Sequence, residues 1–314
     1  METESAGYPS EYLVSRIRGR RAGFIKEWDD ITLNPGTFES LIITRYGGLK
    51  EEIRIGMLRE FQWVYNQMNK KLKEIFKPFF IYFEIKTLTA CLRYKMKNEP
   101  VKEIESLLSF SLLPEGIKGH LKTGEELPAA VEYFEEETSL FSSGIRGLKN
   151  VFLKEGLKGV EERLFRSCLE KIIHSSLHPV IRNFFVFTID SRNIIALYKH
   201  LQWDITSMPY FIQGGSIMKS QFEKAAQSKE LSGISELVHR LTGHDTEGQS
   251  LSKIETLLRT LMTKQIRTMM RDNSDIGLIL DYLWRRFIEA QNLSIIFYGR
   301  DVEKEVIKRE LVTI

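Results

Sequence analysis

A short pattern, an acid followed at i+3 by Asn or Thr and at i+4 by Leu or Ile, recurs three times along this chain: Glu84-Thr87-Leu88, Asp190-Asn193-Ile194 and Glu289-Asn292-Leu293. The acids lie 106 and 99 residues apart. On the order of one or two chance matches to so short a pattern are expected, so the even spacing and the flanks carry the inference. Each copy sits inside a long apolar stretch of helical continuity, over 79–94, 180–201 and 278–298. An acid buried there must find a donor, because an unpaired carboxylate in a core costs several kcal/mol. The Asn one turn on, or Arg93, Lys199 or Arg286, are donors within reach. Repetition on this scale predicts an all-helical protein of three related parts, and proteins built that way hold or align partners.

The 314 residues suffice for two or three packed units. Forty-five basic against forty-two acidic residues leave a net charge of only +3. That balance argues against a dedicated nucleic-acid binder, which needs unopposed Lys and Arg. Cys91 and Cys168 both stand in apolar helical contexts and read as core thiols in a reducing compartment. The acidic opening, Met1 to Ser5, has no apolar core and does not read as a signal peptide. The best membrane-span candidate, 276–298, is interrupted by Asp281, Arg285, Arg286 and Glu289, so a peripheral contact with a membrane surface is expected and not a span.

Helix signals are frequent and strand signals scarce. From Leu251, apolar residues at Ile254, Leu257, Leu258, Leu261, Met262 and Ile266 mark one buried helical face, and Ser252 with Glu255 predicts a capping box. Pro78 and Pro179 are placed to open the first two repeat helices. Further helices are expected over 51–75, with Met57, Phe61, Val64 and Met68 on one face, and over 155–174. Breaks fall at Asn34-Pro35-Gly36, 113–116, 144–147, 208–215 and 243–248. Boundaries are set near 105 and 207, giving parts 1–105, 106–207 and 208–314, which are expected to pack into one body.

No catalytic apparatus emerges. The segment Gly116-Ile117-Lys118-Gly119-His120-Leu121-Lys122-Thr123 imitates a phosphate-binding loop, but Leu121 stands where a glycine is needed and no apolar strand precedes it. Glu170, His174 and His178 would share a helix face at i, i+4 and i+8, the one handle for a metal site, yet Pro179 breaks that register. Ser142-Ser143-Gly144 lacks the flanks of a nucleophile elbow, and Glu135-Glu136-Glu137 reads as a solvated helix face. Neither cofactor nor metal is called for. Arg16, Arg18, Arg20 and Arg21 form the one dense basic cluster, suited either to an acidic partner or lipid headgroups or to the polar side of a first helix with Tyr12, Leu13, Ile17 and Phe24 inward.

These residues carry a family resemblance. Tyr12-Leu13-Val14-Ser15-Arg16-Ile17-Arg18 resembles the Tyr-x-x-x-Arg-x-Arg opening of the C subunit of the archaeal and bacterial V-type (A-type) ATP synthases, the homologue of the vacuolar ATPase d subunit. Ile189-Asp190-Ser191-Arg192-Asn193-Ile194 is similar to that family's middle signature, and Tyr282 through Arg286 with Glu289, Asn292 and Leu293 to its C-terminal block. Phe211-Ile212-Gln213-Gly214-Gly215 resembles its Gly-Gly turn. The order is right throughout the chain. Departures are Thr87 for the usual Asn, Phe287 for a frequent Glu, and Tyr198-Lys199 for Leu-Arg.

The resemblance implies three related helical bundles around a pseudo-threefold axis, shaped as a funnel. It further implies a non-catalytic socket on the cytoplasmic face of the membrane, between the rotating central shaft of the V-type head and the proteolipid ring. In that setting Glu84, Asp190, Asn193, Glu289 and Asn292 are structural. Contact with shaft or ring is expected from Arg16, Arg18, Arg20 and Arg21 and from the loops around Pro114 and Gly214-Gly215. Charge reversal at Arg18 and Arg21 is expected to weaken assembly and spare the fold. The alternative is a cytosolic helical repeat scaffold for an unrelated partner, which would stack as an open solenoid.

Overall fold

The computed structural model describes residues 7–46, 50–123, 126–136, 145–203, 205, 207–271 and 275–313. Met1 to Ser5, Glu137, Ser142-Ser143-Gly144 and the Asp204 and Thr206 positions beside the second boundary lie outside them. Among the described residues the chain is all-α, with fifteen helices, one 3-10 turn and no strand. The first third carries α1 (Ser10–Arg20), α2 (Trp28–Leu33), α3 (Pro35–Tyr46), α4 (Lys50–Gln67) and α5 (Lys70–Met96). The middle carries α6 (Val101–Leu108), α7 (Glu115–Lys122), α8 (Leu127–Glu136), α9 (Leu148–His174) and α10 (Pro179–Gln202). The last carries α11 (Lys219–Ser228), α12 (Ser232–Thr242), α13 (Leu251–Arg271), α14 (Asp275–Tyr298) and α15 (Lys304–Glu310).

Local chemistry explains where the expectations hold and where they shift. Pro179 opens α10 as its first residue, where a missing amide costs nothing. Pro78, by contrast, lies inside α5, which starts eight residues earlier at Lys70. The true start signal is Asn69, whose side chain accepts from the Leu72 amide at 2.9 Å. The same cap ends the expected 51–75 helix early, splitting it into α4 and α5. In α13 the anticipated face is buried at Ile254, Leu258, Met262 and Ile266. Its capping box does not form: Ser250 accepts from the Lys253 amide, Ser252 donates to Glu310, and Glu255 pairs with Arg259 at 2.9 Å. In α9 Gly156 takes φ 66°, ψ −163°, a kink that leaves the regular run beyond it close to the expected 155–174. Leu13, Ile17 and Phe24 point inward as expected, whereas Tyr12 is exposed and stacks on Tyr8.

The three helices carrying the repeated acids are α5, α10 and α14, and they meet directly. Phe79 touches Phe184 with ring centroids 5.4 Å apart, Phe184 touches Trp284 at 5.7 Å, and Phe83 touches Phe287 at 5.1 Å. All three pairs of helices are thereby joined by aromatic contacts within about two turns of the acids. The rings of Phe79 and Phe184 are fully buried, and the main core runs through residues of every third of the chain.

A second, smaller core joins the two ends of the sequence. It packs Ile31, Phe38, Ile42 and Ile53 against Leu293, Ile296, Ile307 and Leu311. In an open solenoid each unit touches only its neighbours; here the first third lies directly on the last. Replacing Phe184 by Ala removes the ring common to two of the three helix contacts. That substitution should destabilise the protein by about 3–5 kcal/mol, measured by urea unfolding, with a single cooperative transition retained.

Candidate functional site

Each repeated acid is held by backbone and hydroxyl donors of a segment outside its own helix. Glu84 accepts from the Ser111 hydroxyl at 2.5 Å and the Leu112 amide at 2.8 Å. Asp190 accepts from the Ser216 amide at 2.8 Å, the Ser216 hydroxyl at 2.6 Å and the Ile217 amide at 3.1 Å. Glu289 accepts from the Ile25 amide at 2.9 Å and from Arg286 at 2.6 Å. The first two acids reach a loop 26 to 28 residues downstream, while the third reaches back 264 residues to the start of the chain. Burial pushes the Glu84 and Asp190 carboxyls up, and these donors oppose the shift.

The asparagines do different work from the one anticipated. Asn193 donates to the Ile212 carbonyl at 2.8 Å and accepts from the Ile212 amide at 2.9 Å, pairing with backbone as another peptide would. Asn292 repeats this with Val312, at 2.9 and 3.1 Å. Thr87 only returns its hydroxyl to the Phe83 carbonyl at 3.4 Å, so the first copy lacks this second anchor. Of the basic residues considered as donors, Arg286 serves its acid, whereas Arg93 binds Glu161 through two 2.5 Å bonds.

The loops at Pro114 and Gly214-Gly215 are therefore anchored internally. Pro114 precedes α7 just beyond the Ser111-Leu112 clamp. Gly214 has φ +97° and lies against Ile173, and a Cβ on Gly215 would collide with the Asp190 carboxylate. The close approach of loop to acid explains the second glycine.

The basic cluster is likewise divided. Arg20 pairs with Glu60 at 2.6 Å and lies over the Trp63 ring at 3.8 Å. Arg16 covers the same ring at 5.2 Å. Arg21, in the 3-10 turn that follows α1, reaches the fully buried Asp281 at 3.1 Å and fixes that turn to α14. Burial raises the Asp281 carboxyl, opposed by Arg21 and by Arg285 and Arg267. Arg18 alone of the four is exposed without a partner among the described residues. Charge reversal at Arg21 would face a buried carboxylate with a second one, so this residue is part of the fold and not a free contact.

The segment that imitates a phosphate loop is helical, since 116–122 belongs to α7. Glu170 accepts from the Tyr210 hydroxyl at 2.6 Å, and His178 caps α10 by accepting from the Val180 amide at 3.3 Å. The helix break at 175–178 separates it from His174, and no cluster of three metal-ligating side chains occurs among the described residues. Both thiols are fully buried, and burial pushes Cys91 up to about 12 and Cys168 higher still.

Beyond the aromatic junction α5 and α14 separate, and a cavity of about 390 Å³ opens between them. Phe83, Lys86, Thr87, Ala90, Arg93 and Tyr94 line one side, and Phe287, Ala290, Gln291, Ser294, Phe297 and Tyr298 the other. Both sets follow the i, i+3, i+4, i+7, i+10, i+11 spacing of one helical face, so the two repeat helices turn similar faces to one space. Arg54 and Met57 of α4, Leu107 of α6 and Phe165 of α9 complete the wall. The Lys86 ammonium lies over Tyr82, Phe83 and Phe287 at 4.8, 4.7 and 4.3 Å. Burial, with Arg192, Arg259 and Arg54 nearby, brings it down to about 7. Lys86 is the residue that sequence reasoning misses; its one signal is a lysine two positions after the acid, inside an apolar repeat helix.

Residues 46–310 match the ATP synthase (C/AC39) subunit family. A comparison with curated proteins returns no match.

Two substitutions probe this geometry. Gly215→Ala should displace the loop from Asp190 and cost about 2–4 kcal/mol in chemical denaturation, whereas Gly119→Ala, inside α7 with open space for its Cβ, should stabilise by about 0.5–1 kcal/mol. Lys86→Met removes a charge disfavoured by folding. Because its folded value of about 7 lies below the ordinary 10.5, the unfolded chain carries the extra proton between those values. The variant should therefore be more stable by about 1–2 kcal/mol at pH 7 and below, with the gain shrinking as pH rises toward 10.5.

The match covers most of the chain, and the all-helical architecture agrees with it: the chain belongs to the ATP synthase (C/AC39) subunit family and is a subunit of a V-type ATPase or ATP synthase.

Proposed function

We propose that this protein is the non-catalytic socket of the central stalk, coupling the rotating shaft of the soluble head to the membrane proteolipid ring. Its three parts, 1–105, 106–207 and 208–314, form related bundles about a pseudo-threefold axis through the junction of α5, α10 and α14. The observation that carries this reading is the bond from the Ile25 amide to Glu289, which ties the first part to the last as Glu84 and Asp190 tie their helices to the segments that follow. A body closed in this way has no loose end along which torque would dissipate. Close-packed aromatic interiors resist deformation and transmit strain.

On this reading the socket's mouth lies on the C-terminal side of the repeat helices, where α5 and α14 border a cavity of about 390 Å³. Partners on this reading are the shaft subunits at that mouth and the proteolipid ring at the opposite end. A shaft and a ring of different symmetry are best bridged by broad polar contacts, which guide register more than they add affinity. No helix among the described residues is long and apolar enough to cross a membrane. Placement on the cytoplasmic face, held by the ring and by contact with the membrane surface, follows from the coupling role. Closure of the first part onto the third weighs against the open scaffold.

Affinity purification from native membranes tests the proposal. Head subunits, shaft and ring should be recovered at stoichiometric level, and the isolated chain should not hydrolyse ATP. Recovery without them, bound to an unrelated partner, would sink the coupling role. Within that experiment Arg18→Glu should reduce recovery of the complex and leave the melting temperature within about 1 °C, as expected of an exposed side chain. Arg21→Glu should lower the melting temperature by several degrees, because it strands Asp281.

A further inference from the structure

The charge on the cavity wall is one-sided. Arg54, Lys86 and Arg93 line it, and no Asp or Glu does so among the described residues. Arg93 is neutralised by Glu161 from outside, through the two bonds described above. Arg54 donates to the Lys86 carbonyl at 2.7 Å and, like Lys86, makes no ion pair among the described residues. Arg192 adds a further cation nearby, lying over the cavity residue Phe165 at 4.5 Å. Aromatic faces soften an ammonium's loss of water but bring no negative charge. The Glu84 carboxylate, turned to Ser111 and Leu112, acts on Arg54 from behind the wall, and no carboxylate lines the cavity beside Lys86 among the described residues. Cations gathered where burial penalises them, with no carboxylate on the wall itself, fit a site whose ligand supplies the opposite charge. Across the cavity Gln291 presents a side-chain amide, while the Thr87, Thr89 and Ser294 hydroxyls that also line it donate to carbonyls of their own helices. The volume, about 390 Å³, lies within the range of small-ligand sites.

We propose that this cavity is an anion site in which Lys86, with Arg54 beside it, receives a phosphate- or carboxylate-bearing group. The group is either a free oxyanion or the acidic side chain of an assembly partner, and only the second source rests on the coupling role. The site has a protonic signature. Lys86 is brought to about 7 by burial and by the facing cations Arg192, Arg259 and Arg54, and an entering anion favours its charged form. Binding at pH 8 therefore takes up a proton.

The test uses the full chain titrated with inorganic phosphate at constant ionic strength, followed calorimetrically in buffers of different ionisation enthalpy. A free-oxyanion site gives saturable binding with proton uptake at pH 8. Lys86→Met should weaken it about tenfold or more, and Lys86→Arg should retain binding without the proton uptake. Gln291→Glu, which places a carboxylate on the wall and leaves Lys86 in place, should abolish the response independently. A partner-carboxylate site gives no phosphate binding. In that case Lys86→Met and Gln291→Glu release the chain from the purified complex at lower salt than wild type, with Arg54→Met acting in the same direction. Phosphate binding unchanged by all the variants, or no phosphate binding together with unchanged salt release, overturns the proposal. If the chain assembles with no V-type subunits, the coupling role falls separately and the phosphate titration alone decides the site.

Discussion

Burying a carboxylate is tolerable only when donors meet it, and this protein meets that constraint by having another segment bring them. The donors to Glu84 and Asp190 lie in the loops at Ser111-Leu112 and Ser216-Ile217. A helix interior has no free amides, since its N–H groups serve its own carbonyls. Glu84 and Asp190 are completed by irregular chain, and Glu289 by the Ile25 amide together with Arg286 one turn away, so each outside segment is pinned in return. Losing the segment would strand the acid, and losing the acid would strand buried amides. Order in the loops and burial of the helices thus depend on each other, consistent with the cooperativity expected of a stiff body.

The third clamp changes the topology. Glu289 draws its amide donor from Ile25, and the same region adds Arg21 to Asp281 and the Tyr282 hydroxyl to Glu60 at 2.6 Å. Polar contacts of this kind specify a register that the apolar packing of Ile31, Phe38 and Ile42 against α14 and α15 would leave less defined. Closure has two components, with area supplied by the second core and alignment by the buried acids. The arginines near the start of the chain, which resemble a docking patch when read as a string, are largely consumed in this alignment. Only Arg18 of the four keeps an exposed charge without a partner among the described residues.

Helix positions are legible because burial imposes a period: the stripe at Ile254, Leu258, Met262 and Ile266 marks its helix wherever the tertiary partner lies. The repeat is legible because each acid needs an apolar setting, which leaves an outlier in an otherwise hydrophobic run. What the acids bind is not legible, because backbone amides carry no residue identity. Asn193 and Asn292 look like partners of the acids since they lie one turn away, but a side-chain amide matches a peptide better and each finds one 19 or 20 residues on. Pro78 misleads for a related reason. Its ring is tolerated inside α5 because the surrounding packing at Phe76, Phe79 and Phe80 outweighs a lost hydrogen bond. The Gly-Gly turn is visible as a motif, and its cause, contact with Asp190, appears only in three dimensions.

The departure at Thr87 connects these threads. Asn193 and Asn292 are buried and engaged by backbone, whereas Thr87 satisfies its hydroxyl within its own helix and lines the cavity. Without an asparagine anchor, the loop at Ser111-Leu112 is clamped to α5 through Glu84, and the backbone beside Thr87 is engaged from another direction: Arg54 donates to the Lys86 carbonyl. That bond brings a guanidinium to the cavity wall next to the ammonium of Lys86. A change that weakens one internal clamp thus accompanies the concentration of positive charge at the same level of the same helix. The two Asn-bearing helices carry Arg192 and Gln291 at the position corresponding to Lys86, so the charge is distributed unequally among the three copies. This asymmetry among the three acid-bearing helices gives one side of the cavity a distinct electrostatic identity, a feature suited to recognising one orientation of whatever enters it.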